Sequence, residues 1–141
     1  MSSEKLYSEI FEEFDTCTTK AERINCLRKY DHPRFRIFLQ AVFNPDIQFD
    51  VWVPPYRPAV EPAGLNYTYL DQEMVKVYRF VKNHPSRPHG LDAERQKSLL
   101  VVILESLHKD EAALMVKMFN KDLEVKFLTV NLVKEAYPNL L

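Results

Sequence analysis

The chain has 141 residues, of which 46% are hydrophobic, and its formal net charge is -1. This length fits one domain with a buried core, and the near-neutral charge excludes a polycation that coats nucleic acid without specificity. Only two glycines are present, which favours helices over a turn-rich β architecture. The sequence has neither an apolar N-terminal run of signal-peptide length nor a membrane-spanning stretch, so a soluble cytoplasmic protein is predicted.

Three helices are predicted in the first third of the chain, where apolar residues recur at helical spacing. The first covers about residues 3–15. The second begins after Thr18 or Thr19, and Glu22 three residues after Thr19 completes a capping box. The third has Pro33 at its first position and ends before residues 44–45, Asn-Pro.

Residues 44–67 do not have a helical pattern and are rich in proline and tyrosine. A connection of over twenty residues is long for a compact domain, and such loops are usually functional or flexible. Aromatic and arginine side chains dominate the energy of protein interfaces. The loop therefore offers three candidate partner-binding residues, which are Trp52, Tyr56 and Arg57.

Four more helices are predicted after the loop, at about residues 71–82, 93–107, 109–119 and 129–136. A Pro-containing segment separates the first two, and a turn at 120–128 precedes the last, which Thr129 caps. The apolar face of the 71–82 helix is expected at Met74, Val75, Tyr78 and Val81. The predicted fold is all-α: a single domain, residues 1–141, forming an orthogonal bundle of six to seven helices with one long Pro/Tyr-rich loop.

The last stretch of the chain carries a basic residue, Asp-Leu-Glu, and then a final helix closing on Pro-Asn-Leu-Leu at residue 141. This order resembles the end of the all-helical N-terminal domain of phage-type ATP-dependent DNA ligases. The resemblance covers most of the chain loosely, and it implies a helical domain that holds duplex DNA across the minor groove through backbone contacts. In a ligase the nucleotidyltransferase domain follows; here the sequence ends, and it contains no Lys-x-Asp-Gly motif. The resemblance therefore implies a freestanding, non-enzymatic phage protein.

Two groups of cations are candidates for contacts with DNA phosphates. Segment 76–97 carries six bases and two acids, and a helix N-terminus beside such bases favours anions. The ligase resemblance implies a second group in the 120–128 turn, where a lysine replaces the glycine that ligases commonly have. The alternative is that these are solvated surface cations or, in the turn, partners of a local ion pair. The complete candidate set is Lys76, Arg79, Lys82, Arg87, Lys121 and Lys126.

No catalytic constellation is visible in the sequence. The four histidines lack metal-ligand spacing, and no glycine-rich phosphate loop is present. Cys17 and Cys26 match no zinc pattern and are predicted to be free thiols, with a disulfide as the alternative. We therefore expect no cofactor, no metal, no small-molecule substrate and no membrane partner.

Two main functions remain open from the sequence, beside a third in which the chain supplies a DNA grip in trans to a separate catalytic chain. The first is a module that binds duplex DNA weakly, with little sequence preference and a strong salt dependence. The second is a protein adaptor that docks on replication or transcription machinery, such as a sliding clamp or an RNA polymerase, through the loop at 49–69. One contiguous basic face would favour the first function, and scattered bases beside an exposed aromatic patch would favour the second.

Overall fold

A computed structural model of the chain describes residues 6–49, 51, 53–57, 69–82, 84–85 and 93–141. The prediction of an all-α fold is confirmed: within these ranges the chain forms seven α-helices, one 3₁₀ helix and no β-strand. None of the described helices is long and apolar enough to cross a membrane. The α-helices are α1 (Tyr7–Asp15), α2 (Lys20–Lys29), α3 (Pro33–Phe43), α4 (Leu70–Glu73), α5 (Ala93–Ser106), α6 (Lys109–Phe119) and α7 (Val130–Ala136).

Helix starts follow the local capping chemistry. The hydroxyl of Thr19 accepts a hydrogen bond from the Glu22 backbone N–H at 3.2 Å, and α2 begins at the next residue. Thr129 accepts from the backbone N–H of Leu132 at 3.2 Å and begins α7 in the same way. Pro33 occupies the first position of α3, where a missing N–H has no cost. These three predicted starts are confirmed.

The predicted helix at 71–82 is wrong in its type. The chain makes a single α-helical turn, α4, and then continues as a 3₁₀ helix over Met74–Phe80. Its buried residues are Met74, Val77 and Phe80, whereas Val75, expected on the apolar face, is 53% exposed. A 3₁₀ helix has three residues per turn, so apolar residues spaced by three form one face.

Two groups of aromatic rings fill the core. In the first, the rings of α1 and α3 lie 5.0–6.3 Å apart between centroids. In the second, the ring of Phe119 on α6 contacts Phe49 at 5.1 Å and Phe80 at 5.5 Å. Phe49 also forms an isolated antiparallel bridge with Val81, which ties the segment after α3 to the end of the 3₁₀ helix. Truncating one such buried ring to alanine costs about 3–5 kcal/mol.

One buried carboxylate serves two helix starts. Leu6 precedes α1 and has no side chain that could cap it, so Glu111 from α6 accepts the backbone N–H of Ser8 at 3.1 Å. The backbone N–H groups of Tyr7 and of Leu70, the residue that begins α4, also favour the ionised form of this carboxylate and so lower its pKa. Burial outweighs these favourable contacts and raises the pKa of Glu111 to about 7. Its Oε1 atom has no hydrogen-bond partner in the described part of the chain.

A second polar group ties α1, α3 and α4 together. The Tyr7 hydroxyl donates to Oδ1 of Asp71 at 2.6 Å, and Nε of Arg34 donates to Oδ2 at 2.8 Å. Both oxygens of this half-buried carboxylate are therefore used, one by each neighbouring helix. Charge-assisted bonds of this kind are the stronger ones in proteins, so Asp71 fixes the start of α4 against the bundle.

Helix α2 lies beside α7, and α1 packs against α2 and α6. Arg28 holds the first of these contacts: its Nε donates to the carbonyl of Ala136 and its Nη2 to that of Glu135, both at 3.1 Å. Cations near a helix C-terminus also interact favourably with its dipole. In the first turns of α2, Arg23 reaches the turn between α6 and α7.

Candidate interaction surface in the turn between α6 and α7

Helix α6 ends in a Schellman motif. The N–H of Lys121 donates to the carbonyl of Met118 at 3.0 Å, and that of Asp122 donates to Lys117 at 3.1 Å. This motif needs a left-handed residue, which is usually glycine, and here Lys121 takes it with φ 61°. The left-handed conformation costs a residue with a Cβ about 1–2 kcal/mol, so other contacts must hold the turn.

The Lys121 side chain supplies one such contact. Its ammonium donates to the carbonyl of Asn44 at 2.6 Å and to that of Ile47 at 2.5 Å. Both carbonyls belong to the segment that leaves α3, so the ammonium bridges that segment to the turn. Partial burial lowers the pKa of Lys121. The ammonium is thus engaged inside the protein, and its contact with DNA remains a prediction.

The rest of the turn, residues 122–128, is pinned at two buried leucines, Leu123 and Leu128. Between them the N–H of Leu128 donates to the carbonyl of Val125 at 3.2 Å. Within this four-residue turn, Phe127 is left-handed with φ 69° at the third position, where type II turns normally carry glycine. Glu124 is also left-handed, with φ 58°. The backbone therefore takes conformations usual for glycine although no glycine is present.

This geometry presents Phe127 to solvent. Its side chain is 52% exposed, and the guanidinium of Arg23 on α2 lies over the ring, 3.9 Å from its centroid. The ammonium of Lys126 lies 5.1 Å from the same centroid. Cation–π contacts at exposed sites contribute about 0.5–1 kcal/mol each. Val130, which begins α7, is also exposed. We call Arg23, Lys126, Phe127 and Val130 the Phe127 surface.

A cleft of about 380 Å³ adjoins the turn on the side of α1 and α6, and Lys126 lies at its edge. The ionisable residues that line it are four acids and two lysines. The acids are Glu12, Asp15, Asp110 and Glu124. The phosphate backbone of a DNA strand that contacted Lys126 and entered this cleft would therefore face predominantly negative charge.

The predicted cations of segment 76–97 lie elsewhere. Lys76 and Lys82 are exposed on and just after the 3₁₀ helix, which packs on α3 and α4 rather than on α2. Arg79 is engaged locally: Nε donates to the carbonyl of Lys76 at 3.1 Å, and the guanidinium lies 3.7 Å from a Glu73 oxygen. Arg87 lies outside the described residues. Lys82 nevertheless adjoins the segment that Lys121 contacts, because its backbone N–H donates to the carbonyl of Gln48 at 2.7 Å, one residue after Ile47.

The candidate partner-binding loop is described only in part. Trp52 lies outside the described residues. Tyr56 is half-buried against the core, and burial raises its pKa. Arg57 is exposed, and its backbone N–H donates to Glu105 at 2.9 Å. Tyr56 therefore packs the loop against the bundle, whereas partner binding by the loop remains a prediction.

The sequence interpretation missed Phe127 and Arg23. It singled out two lysines of the same turn, but a phenylalanine between Lys126 and Leu128 gives no sign of whether it is buried. Arg23 lies over a hundred positions away in the chain, so no local pattern links it to the ring. A usable signal was the absence of glycine from a turn as short as 120–129, which forces ordinary residues into left-handed conformations.

Within the described ranges, no three His, Cys, Asp or Glu side chains are grouped closely enough to hold a metal ion. The fold and the site define a small all-α protein with an exposed ring between two cations. The chain matches, over residues 10–125, the DUF6433 family, described as a family of unknown function, and it belongs to that family. The matched span includes Arg23 and ends two residues before Phe127. No curated protein matches the sequence.

Proposed function

We propose that this protein is a non-enzymatic adaptor in the cytoplasm that binds another protein through the Phe127 surface. One observation carries the proposal: an exposed aromatic ring is held in a strained backbone conformation beneath an arginine. Backbone strain in a folded protein is concentrated at sites of binding, catalysis or switching. Aromatic and arginine side chains are also the residues that contribute most to protein interfaces.

The charge distribution supports a protein partner over duplex DNA. Of the six candidate phosphate contacts, Arg79 and Lys121 are engaged by groups of the protein itself. Of the exposed candidate lysines, Lys126 adjoins a cleft lined mainly by acids. A duplex needs a continuous row of cations along its phosphates, whereas a protein interface tolerates mixed charge around an apolar centre.

The surface also indicates the chemistry of the partner. A ring with one cation over its face and another beside it complements an apolar pocket rimmed by carboxylates. Such a pocket would bury Phe127 while Arg23 and Lys126 pair with the rim. RNA polymerase and sliding-clamp subunits, expected as partners from the sequence, are therefore to be tested first as purified proteins.

The test compares two substitutions of exposed apolar residues. Phe127→Ala keeps the Cβ and the left-handed strain but removes the ring, and Val102→Ala on α5 is the matched control, since Val102 is 63% exposed. Loss of an interface aromatic costs about 2 kcal/mol or more, so we expect Phe127→Ala to weaken partner binding roughly 30-fold. Val102→Ala should bind as the wild type does. Equal affinities for all three proteins would refute the proposal.

Duplex DNA binding is the second candidate function, because Lys76, Lys82 and Lys126 remain exposed. Three phosphate contacts predict that log affinity falls with log salt concentration at a slope of roughly -2.7. A fluorescence-anisotropy titration of labelled duplex at several salt concentrations measures this slope. Saturable binding with that slope, lost on replacing the three lysines with glutamine, would favour DNA over the adaptor. The adaptor proposal predicts no saturable binding.

A further inference from the structure

Cys17 and Cys26 lie together at the end of α1. The thiol of Cys17 lies 3.7 Å from the carbonyl of Glu13, and that of Cys26 lies 4.0 Å from the carbonyl of Ile10, one helical turn earlier. Burial is the main cause of the raised pKa of Cys26, about 12, followed by the Glu13 carboxylate. Both thiols therefore lie along the same turn of α1, and Cys17 is close enough to contribute to the raised pKa of Cys26.

The two thiols differ in their access to solvent. Cys17 follows the end of α1 and is half-buried, while Cys26 lies in the middle of α2 and is 5% exposed. An oxidant in solution therefore reaches Cys17 first. The second thiol then lies next to the first and inside the protein, which is the arrangement of an attacking cysteine and a resolving cysteine.

We propose that Cys17 and Cys26 are a redox site that closes reversibly to an intramolecular disulfide by exchange with a low-molecular-weight disulfide such as oxidised glutathione. The Cys17 thiolate attacks one sulfur, forms a mixed disulfide and releases the first glutathione as a thiolate, which takes up a proton. Cys26 then loses its proton and attacks the Cys17 sulfur, releasing the second glutathione. Two protein thiols are oxidised, and one glutathione disulfide is reduced to two thiols.

Glu13 is placed to assist the second step. Its Oε2 atom lies 3.9 Å from the Cys26 sulfur and accepts a hydrogen bond from Lys29 at 3.2 Å, while Oε1 accepts one from the Tyr30 hydroxyl at 2.5 Å. The carboxylate can therefore take up the Cys26 proton as the thiol becomes a nucleophile. Because the Cys26 thiol holds its proton tightly, resolution should be slower than formation of the mixed disulfide.

The site also connects to the Phe127 surface, and this part of the inference rests on the proposed function. The carbonyl of Cys17 accepts a hydrogen bond from Nη2 of Arg23 at 3.4 Å, and Arg23 is the cation that lies over Phe127. A new bond at the Cys17 side chain changes the position of that carbonyl. Oxidation should therefore loosen Arg23 from the ring and alter the surface offered to a partner.

The test incubates the folded full chain with oxidised glutathione and analyses it by intact and tryptic mass spectrometry. We expect a monomer lighter by two hydrogens, with the peptide Ile24–Arg28 cross-linked to the peptide containing Cys17, and full reversal by dithiothreitol. A glutathione adduct that persists on Cys17, a disulfide between two chains, or no reaction would overturn the proposal.

Two serine variants provide controls that follow the order of the steps. Cys26→Ser should stop at the mixed disulfide on Cys17, and Cys17→Ser should form no disulfide within the chain. NMR of the Phe127 ring then tests the connection to the surface separately. If the cross-linked peptide forms and the ring signals stay in place, the redox site stands and its coupling to the surface is refuted.

Discussion

Replacing Lys121 with methionine tests whether this lysine is a structural bridge or a free surface cation. Methionine keeps the length of the side chain and the Cβ of the left-handed residue, so only the ammonium is lost. Two hydrogen bonds disappear, to Asn44 at 2.6 Å and to Ile47 at 2.5 Å. Each bond to a charged group contributes about 1.5–3 kcal/mol, and water can partly replace the lost donor at this half-buried position.

We therefore expect Lys121→Met to lower the free energy of unfolding by roughly 2–3 kcal/mol. For a domain of this size that corresponds to a fall in Tm of about 6–12 °C. The matched control is Lys126→Met in the same turn, because Lys126 is exposed and its ammonium lies 5.1 Å from the centroid of the Phe127 ring. Its effect should stay within about 0.5 kcal/mol.

The assay is urea unfolding of the two variants and the wild type, followed by far-UV circular dichroism. The reasoning predicts a clear separation between the two lysines, with an unchanged denaturant dependence m. If Lys121→Met and Lys126→Met unfold at the same urea concentration, the ammonium does not bridge the turn to α3. Lys121 would then be available for an external anion, as the ligase resemblance implies.

Three further changes test the polar groups of the fold by the same unfolding assay. Burial raises the pKa of Glu111 from 4.5 to about 7, so the free energy of unfolding should fall as pH rises through this window, by roughly 3 kcal/mol at about 1.4 kcal/mol per pKa unit. Glu111→Gln should remove this decline. Parallel pH profiles of stability for the variant and the wild type would contradict the assignment. Asp71→Asn leaves Tyr7 and Arg34 without a shared acceptor and should cost about 2–3 kcal/mol; a loss below about 0.5 kcal/mol would show that the network is dispensable. Glu124→Gly should stabilise the protein by roughly 0.5–1 kcal/mol by relieving the left-handed penalty, whereas Glu124→Ala should not; equal effects of the two would argue against backbone strain.

Features set by neighbouring residues could be predicted from the sequence. The starts of α2, α3 and α7 depend on Thr19, Pro33 and Thr129, whose capping chemistry acts within three residues. The 3₁₀ helix was missed because its apolar residues fit two spacings. A repeat of 3.6 residues places Val75 on the buried face, whereas a repeat of three residues places Val77 there. Only packing against α3 decides which of the two valines is buried.

Features that join distant segments could not be predicted. Lys121 has the same sequence context whether it meets a phosphate or the carbonyl of Asn44, which lies 77 positions away. The sequence did not indicate whether Phe127 is buried, and its exposure follows from the two buried leucines that hold the turn on either side, Leu123 and Leu128. Arg23 reaches the ring only because α2 packs beside α7. The candidate site is therefore a product of tertiary structure.

The central claim is that the Phe127 surface binds a protein, and site-specific photo-cross-linking tests it most directly. A benzophenone-bearing phenylalanine analogue is incorporated in place of Phe127 and, as a control, in place of Val102, and intact cells are irradiated. We predict a discrete protein adduct from position 127 that is absent from position 102 and resists nuclease. Adducts that nuclease removes, or identical adducts from both positions, would contradict the claim.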